Sequence, residues 1–289
     1  MRWVWLARII GVLIAGFALA ACSTLKLAYN NLPELSYWWL DGYLDFDGAQ
    51  TPRVRDDLAE LLAWHRRHEL PRLVELLRSA QALAPEDITP QQACEFAGQV
   101  RERLLAVAVQ AEGPGTALAL SLGEAQLQQL ERKYAKNNAE YRKEWIERSP
   151  ARWQEKRYEQ ILERYEDFYG RLEPAQHELL KQQVSQSRFD PPAFDTERRR
   201  RQQELLALLR RFQAERTPPA EARAAIHAYV LRIAQPVPGP WRDRQQALQQ
   251  EGCRNMAALH NSASAAQREQ AVRRLRAYER DFGELVAAF

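Results

Sequence analysis

The side chains that could do chemistry in this chain are few and scattered. His65-Arg66-Arg67-His68-Glu69 is the one local cluster of imidazoles with a carboxylate, and histidines three apart share a helical face on which they could hold a metal ion. The order is neither HExxH nor HxxEH, and Arg66 and Arg67 oppose a cation there. We read it as half-exposed helix surface. His177, His227 and His260 are scattered, and no matching acid or nucleophile makes a catalytic motif with them, Glu178 beside His177 included. GxSxG, P-loop and GxGxxG patterns do not occur, so Ser–His and phosphate chemistry have no foothold. Asn137-Asn138 interrupts the apolar phase between Tyr134 and Tyr141, which reads as a buried polar network, a ligand contact or a surface-tilted turn of a long helix. No catalytic residue, metal site, cofactor or small-molecule ligand is indicated, and the chain is read as non-enzymatic.

Cys22 is reactive in another sense. Arg2 and Arg8 make a basic start, Ile9 to Ala21 is an uncharged apolar run, and a polar segment follows. That is the layout of a secretory signal, and the run is shorter than the roughly 20 residues of a bilayer span. It ends in Leu19-Ala20-Ala21-Cys22, which resembles the lipobox of bacterial lipoproteins. The resemblance implies cleavage before Cys22, a diacylglycerol on its thiol and an acylated new amino terminus, hence a stable membrane anchor. Ser23 is not the aspartate that commonly retains such proteins in the inner membrane, so the resemblance points to the outer membrane, facing the periplasm. The expected organisation is a signal peptide over 1–21, a lipidated tether over 22–33 and a helical domain over 34–289.

The elements that would position these residues are helices. Of 289 residues, 46% are hydrophobic, 27% are charged and only 12 are glycine. Apolar residues recur three and four apart: Val54, Leu58, Leu61 and Leu62; Phe96, Val100, Leu104 and Val107; Leu127, Leu130, Tyr134 and Tyr141; Tyr158, Ile161, Leu162, Tyr165, Phe168 and Tyr169; Leu205, Leu208, Leu209 and Phe212; Val272, Leu275, Phe282 and Leu285. Breaks fall at Gly113-Pro114-Gly115, Ser149-Pro150, Asp190-Pro191-Pro192, Thr217-Pro218-Pro219 and the proline-rich segment from Pro236 to Pro240. These predict a single all-α domain of about seven to nine amphipathic helices. Removing Arg2 and Arg8 from the 41 basic residues leaves 39 against 38 acidic ones, and the densest basic run, Arg198 to Arg201, is flanked by acids. No nucleic-acid partner is expected.

Four helix starts share one pattern of an apolar residue, a cap position, two residues and a glutamine: Phe46 to Gln50, Ile88 to Gln92, Leu122 to Gln126 and Leu172 to Gln176. Glutamine at the third helical position can reach back to the cap N–H, and Pro90 and Pro174 sit where no N–H is needed. The uneven spacing argues against a solenoid. Ile88-Thr89-Pro90-Gln91-Gln92 is similar to the LTxxQ-like helix starts of small periplasmic chaperones, which implies a holdase-like alternative.

A broader resemblance rests on Leu27-Ala28-Tyr29-Asn30-Asn31-Leu32, on Trp38-Trp39-Leu40-Asp41-Gly42-Tyr43-Leu44-Asp45-Phe46-Asp47 with Gln50, and on the terminal helix from Arg274 to Leu285. With the lipobox, these resemble a family of proteobacterial lipoproteins of unknown function, which implies a class and a location but no chemistry. Gly42 stands where an acid is expected.

Two further expectations concern residues outside any active site. Once Cys22 is acylated, Cys94 and Cys253 are the remaining thiols, and in an oxidising periplasm they are candidates to pair. Trp38, Trp39 and Tyr43, close after the anchor, read in two ways. They form a docking patch for membrane or partner, or the first layer of the core, and helical spacing with Leu35, Leu40 and Leu44 favours the core. The expected function is that of an envelope-anchored structural or interaction module, with the membrane and other envelope proteins as partners.

Overall fold

The computed structural model describes residues 25–288, which are all-α with no strand among them. A helical stretch at residues 25–30 leads into α1 (Leu32–Leu44), α2 (Gln50–His68), α3 (Leu70–Leu83), α4 (Pro90–Gln110), α5 (Glu112–Ser121) and α6 (Glu124–Tyr141), which runs into a π turn at Arg142–Ile146. The second half holds α7 (Pro150–Tyr169), α8 (Pro174–Ser185), α9 (Pro191–Glu215), α10 (Pro219–Ala234), α11 (Pro240–Asn261) and α12 (Ala265–Ala287).

The helices outnumber the seven to nine expected because prolines divide long apolar patterns. Pro71 lacks the N–H that would continue α2, and the chain restarts as α3 after Glu69. The break expected at Gly113-Pro114-Gly115 separates α4 from α5, which meet at 46°. The expected tether is also shorter: residues 25–33 belong to the helical body. Tyr29 is buried with Leu70 and Leu285, and Pro33 sits in the first turn of α1, where its missing N–H costs nothing. The signal segment and Cys22 lie outside the described residues.

The glutamines of the recurrent helix starts organise this array. Gln50 Oε1 accepts from the Asp47 N–H and from Gln126 Nε2, while Gln50 Nε2 donates to Gln126 Oε1 and to the Ser121 carbonyl. Gln126 answers in kind, accepting from the Gly123 N–H and donating to the Asp45 carbonyl. The same ring recurs between Gln176 and Gln267. Gln176 accepts from the Glu173 N–H and donates to the Ser262 carbonyl, Gln267 accepts from the Ser264 N–H and donates to the Arg171 carbonyl, and the two amides exchange bonds of 2.8 and 2.9 Å. All four hydrogen-bonding positions of each amide are filled, which is what a buried amide requires.

The two rings mark two equivalent lobes within the one domain. Asp45, Asp47 and Gln50 correspond to Arg171, Glu173 and Gln176; Ser121, Gly123 and Gln126 correspond to Ser262, Ser264 and Gln267. Lobe one is framed by α1, α2, α5 and α6, and lobe two by α7, α8, α11 and α12. The intervening hairpins are exchanged: α3 and α4 pack on α12 and α11 of lobe two, while α9 and α10 pack on α6 and α5 of lobe one. The run Leu76-Leu77-Arg78-Ser79-Ala80-Gln81 of α3 matches Leu208-Leu209-Arg210-Arg211-Phe212-Gln213 of α9. The arginine of each run reaches an acid on the long helix beneath, Arg78 to Glu279 and Arg210 to Glu131.

Neither half of the chain completes a core alone. Leu44, Leu122, Leu127 and Leu130 of lobe one close on Leu206, Leu209, Phe212 and Ala222, which arrive from the second half. Phe212 is 2% exposed and is among the largest side chains wholly inside. Phe212→Ala should lower the unfolding free energy by about 3–5 kcal/mol, because the ring leaves a cavity the surrounding helices cannot collapse into. Chemical denaturation measures this; a loss under about 1 kcal/mol would mean that the hairpin does not seal lobe one.

Candidate functional site

α1 has apolar residues on two sides, and only one of them is covered. Tyr37 and Leu44 are buried, with the Tyr37 hydroxyl 3.1 Å from Thr51 Oγ1 and the Arg55 guanidinium 3.9 Å from the centre of the Tyr37 ring. At 100° per residue, Leu32, Leu35, Trp38 and Trp39 occupy an arc of about 120° on the opposite side. Trp38 and Trp39 are 60% and 62% exposed, and Leu27 and Leu35 are 65% and 56% exposed. The expected core layer is therefore corrected for Trp38, Trp39 and Leu35. Tyr43 does reach the core: it lies edge-on to Tyr134, and its hydroxyl accepts from Asn137 Nδ2 at 2.7 Å. Trp39 rests against the rim of Tyr43, with ring centres 4.8 Å apart. The sequence could not separate the two sides, because apolar residues all round a helix leave little amphipathic contrast.

The other residues singled out in the sequence are held in structural roles. Cys94 of α4 and Cys253 of α11 are joined by a disulfide with Cα atoms 5.2 Å apart, which staples the exchanged hairpin to lobe two. Glu112 stands at the corresponding place in lobe one, where its carboxylate meets His227 Nδ1 of α10 at 2.7 Å. Asn138 Nδ2 donates to Gln202 Oε1 at 2.8 Å, so Asn137 and Asn138 together form a polar network between α6, α1 and α9.

His65 and His68 do not converge: His65 Nδ1 lies 2.8 Å from the Tyr29 hydroxyl, whereas His68 stacks near Trp64. Tyrosine–histidine pairing recurs at Tyr158 with His177 and at Tyr169 with His260. His260 Nε2 donates to the Glu86 carbonyl, since a carbonyl only accepts, and in the neutral ring that burial favours, Nδ1 accepts from the Tyr169 hydroxyl. Among the described residues no three His, Cys, Asp or Glu side chains gather as a metal site.

A family model described as "Family of unknown function (DUF6279)" matches residues 42–218, beginning at Gly42 within the Trp38–Asp47 run and ending just before α10. No curated protein and no solved structure matches the chain.

Burial holds the His260 and His65 rings below their ordinary value of 6.5, with Glu69 partly opposing the shift at His65. A depressed folded-state value means that the unfolded chain binds protons first as pH falls. The stability from these two rings is complete above pH 6.5 and is lost as pH drops through that value towards the lower folded-state values. NMR titration of the ring protons should give midpoints below 6.5 for both; a midpoint at or above 6.5 for His260 would contradict the neutral, doubly bonded ring.

Proposed function

Taking as premise that the chain belongs to this family of unknown function, we infer that it is a lipid-anchored protein of the cell envelope. It works as a non-enzymatic structural or interaction module, held by acyl chains on Cys22 with the outward side of α1 laid on the membrane surface. The observation that carries this reading is the exposed set Leu27, Leu32, Leu35, Trp38 and Trp39. Only Ser23 and Thr24 separate Cys22 from the first described residue, Leu25. At about 3.4 Å per residue, a link of that length keeps the helical body within roughly 10 Å of its anchor. Tryptophan favours the bilayer interface, where its ring and its N–H are both satisfied, and a row of leucines beside it adds apolar area to the contact.

Among the described residues no single helix is long and apolar enough to cross a membrane, which is consistent with attachment by lipid and surface contact. The membrane is proposed to be the outer one, facing the periplasm, on the strength of Ser23. The holdase-like alternative drew on the Ile88–Gln92 helix start, where Thr89 and Gln92 form a capping box, while Gln50, Gln126 and Gln176 of the like starts are engaged inside the fold.

Cys22→Ser should abolish lipid labelling and leave unprocessed precursor. Combining Trp38→Ala with Trp39→Ala should change the melting temperature by only a few degrees, because exposed rings contribute little to folding. A form that begins at Ser23, and so carries neither the signal segment nor the acylated cysteine, should bind phospholipid vesicles, and the same pair of substitutions should release it. A large loss of melting temperature, or vesicle binding of that form unchanged by the pair, would refute the docking role of α1.

A further inference from the structure

The equivalence of the lobes makes one difference between them conspicuous. In lobe one the space between the exchanged hairpin and its long helix is filled by Phe212 and Leu130, both buried. In lobe two the corresponding residues are Ala80 and Ala271, and the space is a cavity of about 460 Å³. That lies within the roughly 300–1,000 Å³ of small-molecule sites, and an apolar cavity of roughly 150 Å³ already takes a small aromatic molecule. An apolar space of this size left empty forfeits the dispersion contacts its walls would otherwise make.

Phe96, Ile161, Phe168 and Met256 are among the apolar side chains of the remaining wall. The polar atoms in it are already engaged: Tyr169 with His260, His260 with the Glu86 carbonyl, and Tyr165 with the Met256 sulfur at 3.6 Å. Burial pushes the Tyr165 hydroxyl up to about 12, so it is neutral there. Two donors remain. Arg164 is exposed, lines the cavity and has no hydrogen bond or ion pair among the described residues. Gln92 uses Oε1 to accept from the Thr89 N–H and hydroxyl, and its Nε2 has no partner among the described residues. Of the four glutamine helix starts noted in the sequence, this is the one whose amide is not closed into a ring.

We propose that this cavity binds one amphipathic molecule with a hydrocarbon chain and an anionic head. The chain occupies the volume that Phe212 and Leu130 fill in lobe one, and the head, a carboxylate or a phosphate, is held by Arg164 and the Gln92 amide. The assignment is independent of the lipid anchor and of the α1 face, because it rests on lobe two alone. It also explains why the exchanged hairpin is stapled there by Cys94–Cys253: a helix pair with a hollow core needs a covalent tie more than a filled one does.

Photo-crosslinking in cells producing the full chain tests it. The probes are a photoactivatable long-chain fatty acid, the corresponding lysophosphatidylglycerol and the fatty alcohol of the same chain, with adducts located by peptide mass spectrometry. Adducts should map to α4, α7 and α11 with the fatty acid, the lysophospholipid or both, and which one labels identifies the source of the head. The alcohol should label about tenfold less, as should the parent probes after Arg164→Glu, which is the scale of one charge-assisted hydrogen bond. Ala80→Phe should abolish labelling while the protein melts no lower than the parent. If that variant does not accumulate, Arg164→Glu at its exposed position decides alone. Absence of adducts on these helices with both anionic probes, equal labelling by the alcohol, or labelling unchanged in Arg164→Glu would overturn the proposal.

Discussion

Everything in this fold hangs on two buried rings of paired glutamine amides. Each glutamine closes the first turn of its own helix and, through the other edge of the same amide, locks onto the helix start facing it. A helix N-terminus normally leaves donors that water or a cap must satisfy. Here two N-termini are brought together so that each satisfies the other, and the geometry is strict because a buried amide with one partner missing loses its solvation without compensation. The rings fix α2 against α6 and α8 against α12. The connecting hairpins must then reach the opposite lobe to find a long helix still uncovered.

Exchange of the hairpins ties the lobes into one unit, and it also lets them diverge. The frame around each ring is the same in both, whereas the residues that fill the space between hairpin and frame are not. Phe212 and Leu130 make lobe one solid; Ala80 and Ala271 leave lobe two hollow. The disulfide belongs to the hollow lobe and the Glu112–His227 pair to the solid one. On the outside, α1 repeats the theme at a different place, with one apolar side spent on Tyr37 and Leu44 and the other, carrying Trp38 and Trp39, left uncovered.

The all-α class was legible in the sequence because apolar residues three and four apart are a direct image of a helix face. The helix starts were legible for the same local reason, the capping geometry being confined to a few residues. Their purpose was not, since the partner of Gln50 lies on α6 and the partner of Gln176 on α12, and nothing local links them. Ser264 with Gln267 completes the set, and its serine cap and third-position glutamine were a readable signal, with the small Ala263 standing where the other four starts have a large apolar residue. The sidedness of α1 was hidden by its uniform apolarity. The cavity was hidden altogether, because its walls come from five helices and its cause is the smallness of two alanines, which in sequence look like ordinary helix residues.

The pairing of the amides is tested most directly by a double-mutant cycle on Gln176→Ala and Gln267→Ala, with unfolding free energies from chemical denaturation. Each single variant strands the opposite amide, so each should cost about 1–3 kcal/mol. The double variant strands neither, and should cost less than the sum of the singles by about 1 kcal/mol or more. Strictly additive losses would mean that the two glutamines act only as separate helix caps, and would contradict the closed ring on which the two-lobed fold depends.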